Sequence, residues 1–181
     1  MTTTTITSVA MVLVVLAVMS SGLPAVHADD AFISRTCKKT MNAELCEDVL
    51  HLNIDSDEAS TEHDLANVTL KIASATADLN TEYIKDWVRH SHDTPQWEAL
   101  VACRWAYADA VYDLKLLAIP KFHSGDFAGA LKHVLDAKGA ADVCENAFKR
   151  IKLEPETEGL DRHMTEQCGV AAELIGLLIH K

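Results

Sequence analysis

The chain has 181 residues and a formal charge of −11 at pH 7; 49% of it is apolar, and it holds only 7 glycines and 4 prolines. So acidic a protein is a poor partner for nucleic acid or an anionic membrane. Few helix breakers and many apolar residues suit helices packed on helices, in about one domain's length.

The N-terminus, MTTTTITSVAMVLVVLAVMSSGLPAVHADD, is nearly all apolar from Val9 to Met19. That run is too short to span a bilayer and has the length of a signal-peptide core. Val26-His27-Ala28 puts small residues at the two positions a signal peptidase reads, so residues 1–28 are expected to be a signal peptide cut after Ala28. The leader contains no Asp, Glu, Lys or Arg, and the whole formal charge falls on the mature chain. The mature protein is expected to be secreted, with no membrane segment of its own.

Residues 29–57 hold AFISRTCKK, a break at Thr40-Met41-Asn42, and AELCEDVLHL. Asn42 is a candidate N-cap for the second piece, and the segment is expected to form a small helical hairpin. Residues 58–181 then show four apolar patterns in steps of three or four. The first, between Ala59 and His90, uses Leu65, Val68, Ile72, Ala75, Leu79, Tyr83 and Trp87, and Ser91 to Gln96 breaks it. The second uses Leu100, Cys103, Tyr107, Ala110, Leu114 and Leu117, and Pro120 is expected to stop it. The third runs Phe127, Ala130, Val134, Ala137, Ala141, Cys144, Phe148 and Ile151; the fourth runs Leu160, Met164, Gln167, Ala171, Leu174 and Leu178. Four long amphipathic helices with short links predict an all-α, up-down-up-down four-helix bundle behind the hairpin.

Five cysteines follow the leader. In an antiparallel hairpin, two residues meet when they lie equally far from the turn. The midpoint of 103 and 144 falls between His123 and Ser124, and that of 37 and 46 between Met41 and Asn42, both inside expected turns. Cys37–Cys46 and Cys103–Cys144 therefore satisfy the reach of a disulfide, roughly 4.4–6.8 Å between Cα atoms. Cys168 is left over, as a core thiol on the fourth helix. Asn67-Val68-Thr69 is an N-glycosylation sequon, with Asn67 the candidate acceptor.

No phosphate loop, nucleophile elbow or metal-type CxxC pair is present. The cluster His90-Ser91-His92-Asp93 has no clear further ligand and fits a solvated helix end. The acidic runs fit solvated faces. Nothing calls for a catalytic residue, cofactor or metal, and a secreted, disulfide-clamped acidic bundle fits a binder better than an enzyme. One stretch stands out, LLAIPKFHSGDFAGAL at Leu116 to Leu131. It sets Pro120, Lys121, Phe122 and His123 at the tip of the hairpin between the second and third bundle helices, where a plain turn needs only a glycine and a cap.

TCKKTMNAELCEDVL, ALVACRWAYADAVYDLKLL and SGDFAGALKHVLDAKGAADVCENAF resemble the plant invertase and pectin methylesterase inhibitor family over essentially the whole mature chain. The family's four-cysteine framework matches Cys37, Cys46, Cys103 and Cys144. The resemblance implies a four-helix bundle with an N-terminal hairpin, and a target that is either an acid invertase or a pectin methylesterase of the wall space or vacuole. It also implies that Pro120-Lys121-Phe122 is the Pro-Lys-Phe turn with which the invertase-inhibiting branch enters the sucrose-binding cleft, with His123 beside it. A glycosidase cleft presents paired carboxylates, which attract an ammonium. On this reading Phe122 is an aromatic anchor for the partner and Pro120 limits the entropy lost on docking. The alternative is pectin methylesterase inhibition through a bundle face. Met41-Asn42-Ala43, where many relatives have a proline, the extra Cys168, and Gly139 inside the third helix depart from the family pattern.

Overall fold

The computed structural model describes residues 30–51 and 53–179; the expected signal peptide lies outside them. The elements in order are α1 (Asp30–Cys37), α2 (Ala43–His51), a 3₁₀ turn (Ile54–Glu58), α3 (Glu62–His90), α4 (Trp97–Tyr112), a π-helical segment (Asp113–Ala118), α5 (Ile119–His123), α6 (Phe127–Ile151) and α7 (Glu158–Ile179). No strand occurs among the described residues. Helices α3, α4, α6 and α7 form the expected up-down-up-down bundle, each packed on its two neighbours around one core. The α1–α2 hairpin precedes it, and its turn is tied to α7 where the Met41 backbone N–H donates to Glu173 Oε2 at 2.7 Å.

Local chemistry sets the helix ends. Asn42 Oδ1 accepts from the Leu45 backbone N–H at 3.1 Å, as its sequence position predicts. Helix α3 begins at Glu62, behind a reciprocal cap. Thr61 Oγ1 accepts from the Asp64 backbone N–H, and Asp64 Oδ2 accepts from the Thr61 backbone N–H. The 3₁₀ turn ahead of this cap takes up residues that the sequence pattern left without structure.

Both disulfides form as expected, Cys37–Cys46 with Cα atoms 5.5 Å apart and Cys103–Cys144 with Cα atoms 4.4 Å apart. Cys168 is a buried free thiol, and that burial pushes it up to about 12, far from the thiolate.

Two apolar stripes follow the sequence pattern only in part: Leu65 and Val68 on α3, and Met164, Ala171 and Leu174 on α7, are buried as their spacing predicts. On α3, Leu79 and Tyr83 face solvent, and the buried face runs through Thr69, Ala73, Ala77, Asn80, Ile84 and Val88. Polar residues on that face are satisfied from within: Thr69 Oγ1 donates to Ala66 O at 3.0 Å, and Asn80 Nδ2 donates to Leu160 O at 3.1 Å. On α7 the buried face also takes in Asp161, Cys168 and Ile175, which the pattern left out. Asp161 accepts from the Tyr107 hydroxyl at 2.7 Å and from the Thr157 hydroxyl at 2.6 Å. Burial, and then the neighbouring carboxylate, raise Tyr107 beyond any physiological titration, so its hydroxyl stays a donor.

Pro120 does not end its helix. The expected stop is replaced by a π-helical segment, in which the Ile119 backbone N–H reaches five residues back to Leu114 O. That segment delivers Pro120 to the first turn of α5, where a missing N–H is tolerated. The helical path therefore continues to His123, and the turn proper is Ser124-Gly125-Asp126. Gly125 adopts φ +83°, a left-handed conformation open to glycine without strain.

Candidate binding site at the hairpin tip

The tip is a knuckle made of α5 and the first turn of α6. Pro120 and His123 are exposed on it. Lys121 extends from α5, and its Nζ lies 2.9 Å from Asp126 Oδ2. Asp126 also caps α6, accepting from the Gly129 backbone N–H at 2.9 Å. The Lys121 hydrogen bond, and then the Gly129 N–H, hold the Asp126 carboxyl below the usual carboxylate range. The ion pair therefore stays charged in mildly acidic solution.

Phe122 corrects the sequence expectation. Its ring does not face water; the residue is 1% exposed. It packs 5.4 Å from the Phe127 ring, and the His63 imidazole of α3 lies over it at 4.6 Å. Helix α5, which holds Pro120 in its first turn, has one buried side, and Phe122 occupies it while Lys121 is part-exposed and His123 exposed. The ring thereby ties the knuckle to Phe127 of α6 and His63 of α3, beneath Lys121.

His123 Nε2 lies 3.1 Å from Asn67 Oδ1, so the sequon asparagine of α3 borders the same tip. No sequence spacing links these residues, which lie 56 positions apart. Further along the hairpin, the Cys103–Cys144 disulfide joins α4 to α6. His133 Nδ1 contacts Asp113 Oδ1 at 3.0 Å, binding the π-helical segment to α6. Asp113, His133 and Asp136 bring ligand-type atoms within 4.8 Å of one another, and Lys132 already pairs with Asp136 at 2.5 Å. This cluster also went unseen in the sequence, because it joins residues across the hairpin.

The His90-Ser91-His92-Asp93 stretch gathers no ligand set. His90 Nδ1 meets the Asp86 backbone carbonyl at 2.8 Å and His92 meets Asp93 at 3.2 Å, both at the surface. The buried carboxylate that sequence reading missed is Asp161. Its place at the head of the stripe Asp161, Met164, Cys168 and Ala171 was the available signal. It is 1% exposed and fully engaged by Tyr107 and Thr157, an arrangement that holds a core together and leaves no route for a substrate.

Among solved structures, the chain is similar to two pectin methylesterase inhibitors of Arabidopsis. One is a mutant form, matched with a TM-score of 0.68 and 23% identity over 80% of this chain and 95% of that one. The other has a TM-score of 0.61 and 24% identity over 83% of this chain and 97% of that one. Among curated proteins it is similar to the "cell wall / vacuolar inhibitor of fructosidase 2" of Arabidopsis thaliana. The identity is 27% over 151 residues, covering 81% of this chain and 83% of the relative. The family model described as "Plant invertase/pectin methylesterase inhibitor" matches residues 31–174, hairpin and bundle together, and the chain belongs to that family.

Proposed function

We propose that the protein is an inhibitor of plant acid invertase that binds its target through the Pro120-Lys121-Phe122-His123 knuckle, one inhibitor to one enzyme. The observation that carries this reading is the division of labour at the tip. Phe122 is locked inside, and Lys121 stands outside on a support stiffened by Pro120, the Asp126 cap and the Cys103–Cys144 disulfide. A preorganised cation loses little entropy on docking. In a cleft lined by paired carboxylates it exchanges one anionic partner, Asp126, for two. The resemblance to an inhibitor of fructosidase supports the same target class. It also supports action in the wall space or the vacuole, which the expected leader allows. The inhibitor itself performs no chemistry on this reading.

A second reading, inhibition of pectin methylesterase, draws on the side of the bundle. Leu79 and Tyr83 of α3, and Tyr112 and Leu116 across the α3–α4 seam, are each more than half exposed, flanking an ion pair between Asp78 and Lys115 at 2.6 Å. Such a surface offers an esterase an apolar face without involving Lys121.

The test is a paired titration of acid invertase and pectin methylesterase at about pH 5, where histidine is mostly charged, with wild type and Lys121→Ala. Invertase inhibition weakened about 30-fold or more by Lys121→Ala is expected, the size of a binding hot spot. Esterase inhibition indifferent to Lys121→Ala supports the second reading instead.

A further inference from the structure

We propose that Asn67 carries an N-linked glycan that shields the Lys121 knuckle, so that glycosylation divides the secreted protein into a slow-binding and a fast-binding form. This rests on the inhibitory reading above. A sequon on a 29-residue helix does not reveal what its sugar sits beside. The fold does, because the first turns of α3 and the tip form one continuous surface. His63 lies on Phe122 at 4.6 Å, and one turn later Asn67 Oδ1 lies 3.1 Å from His123 Nε2. His123 is two residues from Lys121.

The contact and the modification are chemically compatible. In glycosyl transfer the Asn67 Nδ2 bonds to the anomeric carbon of a lipid-pyrophosphate-linked oligosaccharide. The bond from that carbon to the pyrophosphate oxygen breaks, the lipid pyrophosphate leaves, and one amide proton is lost. Oδ1 remains a carbonyl acceptor, so His123 keeps its partner. Asn67 is partly exposed, and a bulky sugar rooted there stands next to the turn that must enter a cleft.

Thr69 adds a constraint of timing. The transferase reads the sequon hydroxyl, yet in the fold Thr69 is 0% exposed and its hydroxyl donates to Ala66 O at 3.0 Å. The sequon is legible only before α3 packs. Occupancy is therefore fixed once for each molecule, by competition between transfer and folding.

The experiment uses the full chain with its leader, secreted from a eukaryotic host, as wild type and Asn67→Gln. A mass increment on wild type, absent from Asn67→Gln, reads occupancy. Association with acid invertase is then compared for glycosylated wild type, the same protein trimmed by an endoglycosidase to one sugar, and Asn67→Gln. The glycosylated form is expected to associate about tenfold more slowly, within the range over which association rates of one interface vary, and the other two to match each other. An unmodified Asn67, or equal rates for the glycosylated and trimmed forms, would overturn the proposal. Inhibition by none of the three would instead overturn the inhibitory reading on which it rests.

Discussion

Phe122 and Lys121 are neighbours with opposite tasks, and substitution separates them. Phe122→Ala removes a fully buried ring and is expected to destabilise the fold by about 3–5 kcal/mol, read from chemical denaturation. Phe122→Leu keeps most of the volume, and the folded protein is expected to inhibit like wild type; a large loss of binding by a well-folded Phe122→Leu protein would show that the ring itself is read by the partner. Asp126→Asn keeps the α6 cap, since asparagine caps as well as aspartate, and removes the negative charge that travels with Lys121. Faster association with an anionic cleft at low salt is the expected outcome, measured by stopped-flow mixing. Lys121 stood out in the sequence through the resemblance of Pro120-Lys121-Phe122 to the family's Pro-Lys-Phe motif. The burial of Phe122 was not legible there, because it depends on His63, which a distant part of the chain brings to the tip.

At the scale of elements, the four bundle helices and their order followed from apolar periodicity, while the short α5 did not and boundaries and faces did so unevenly. The α6 stripe, Ala130, Val134, Ala137, Ala141, Cys144 and Phe148, is buried as its spacing predicts. The α3 stripe held at Leu65 and Val68 and misled further on, because the core side includes Thr69, Ser74 and Asn80, whose polarity hides them from a hydrophobic pattern. Pro120 misled because a local rule for proline does not foresee a π-helical segment upstream. Gly139 lies within α6 with open space where a side chain would project. Gly139→Ala is therefore expected to stabilise the helix by about 0.5–1 kcal/mol, seen as a raised Tm. The Cys103–Cys144 bridge closes a loop of 41 residues, and by loop-closure entropy its removal is expected to cost about 4 kcal/mol. Denaturation of a Cys103→Ala/Cys144→Ala double variant checks that figure.

At the scale of the whole molecule, buried and surface carboxylates pull stability in opposite directions with pH. Burial raises Asp161 above its ordinary value of 3.8, and the Thr157 and Tyr107 hydroxyls offset only part of that. A raised carboxylate contributes most when protonated: its stabilisation is full below its unfolded pKa and is lost as pH rises through the folded one. Asp64 and Asp126, held low chiefly by hydrogen bonds, stabilise above the ordinary carboxylate range, and that contribution is lost as pH falls through their lowered values. Stability is thus expected to peak in mildly acidic solution. Across a Tm series from about pH 4 to 7, wild type should lose ground to Asp161→Asn, which removes the buried charge; parallel curves for the two proteins would refute the assignment.

The arrangement of the knuckle has an evolutionary consequence. Because the ring that secures the turn points inward and the cation points outward, residue 121 is free to vary without disturbing the architecture beneath it. A lineage could retarget such a protein, or an engineer could randomise positions 121 and 123, while Pro120 and Phe122 keep the presenting surface in place.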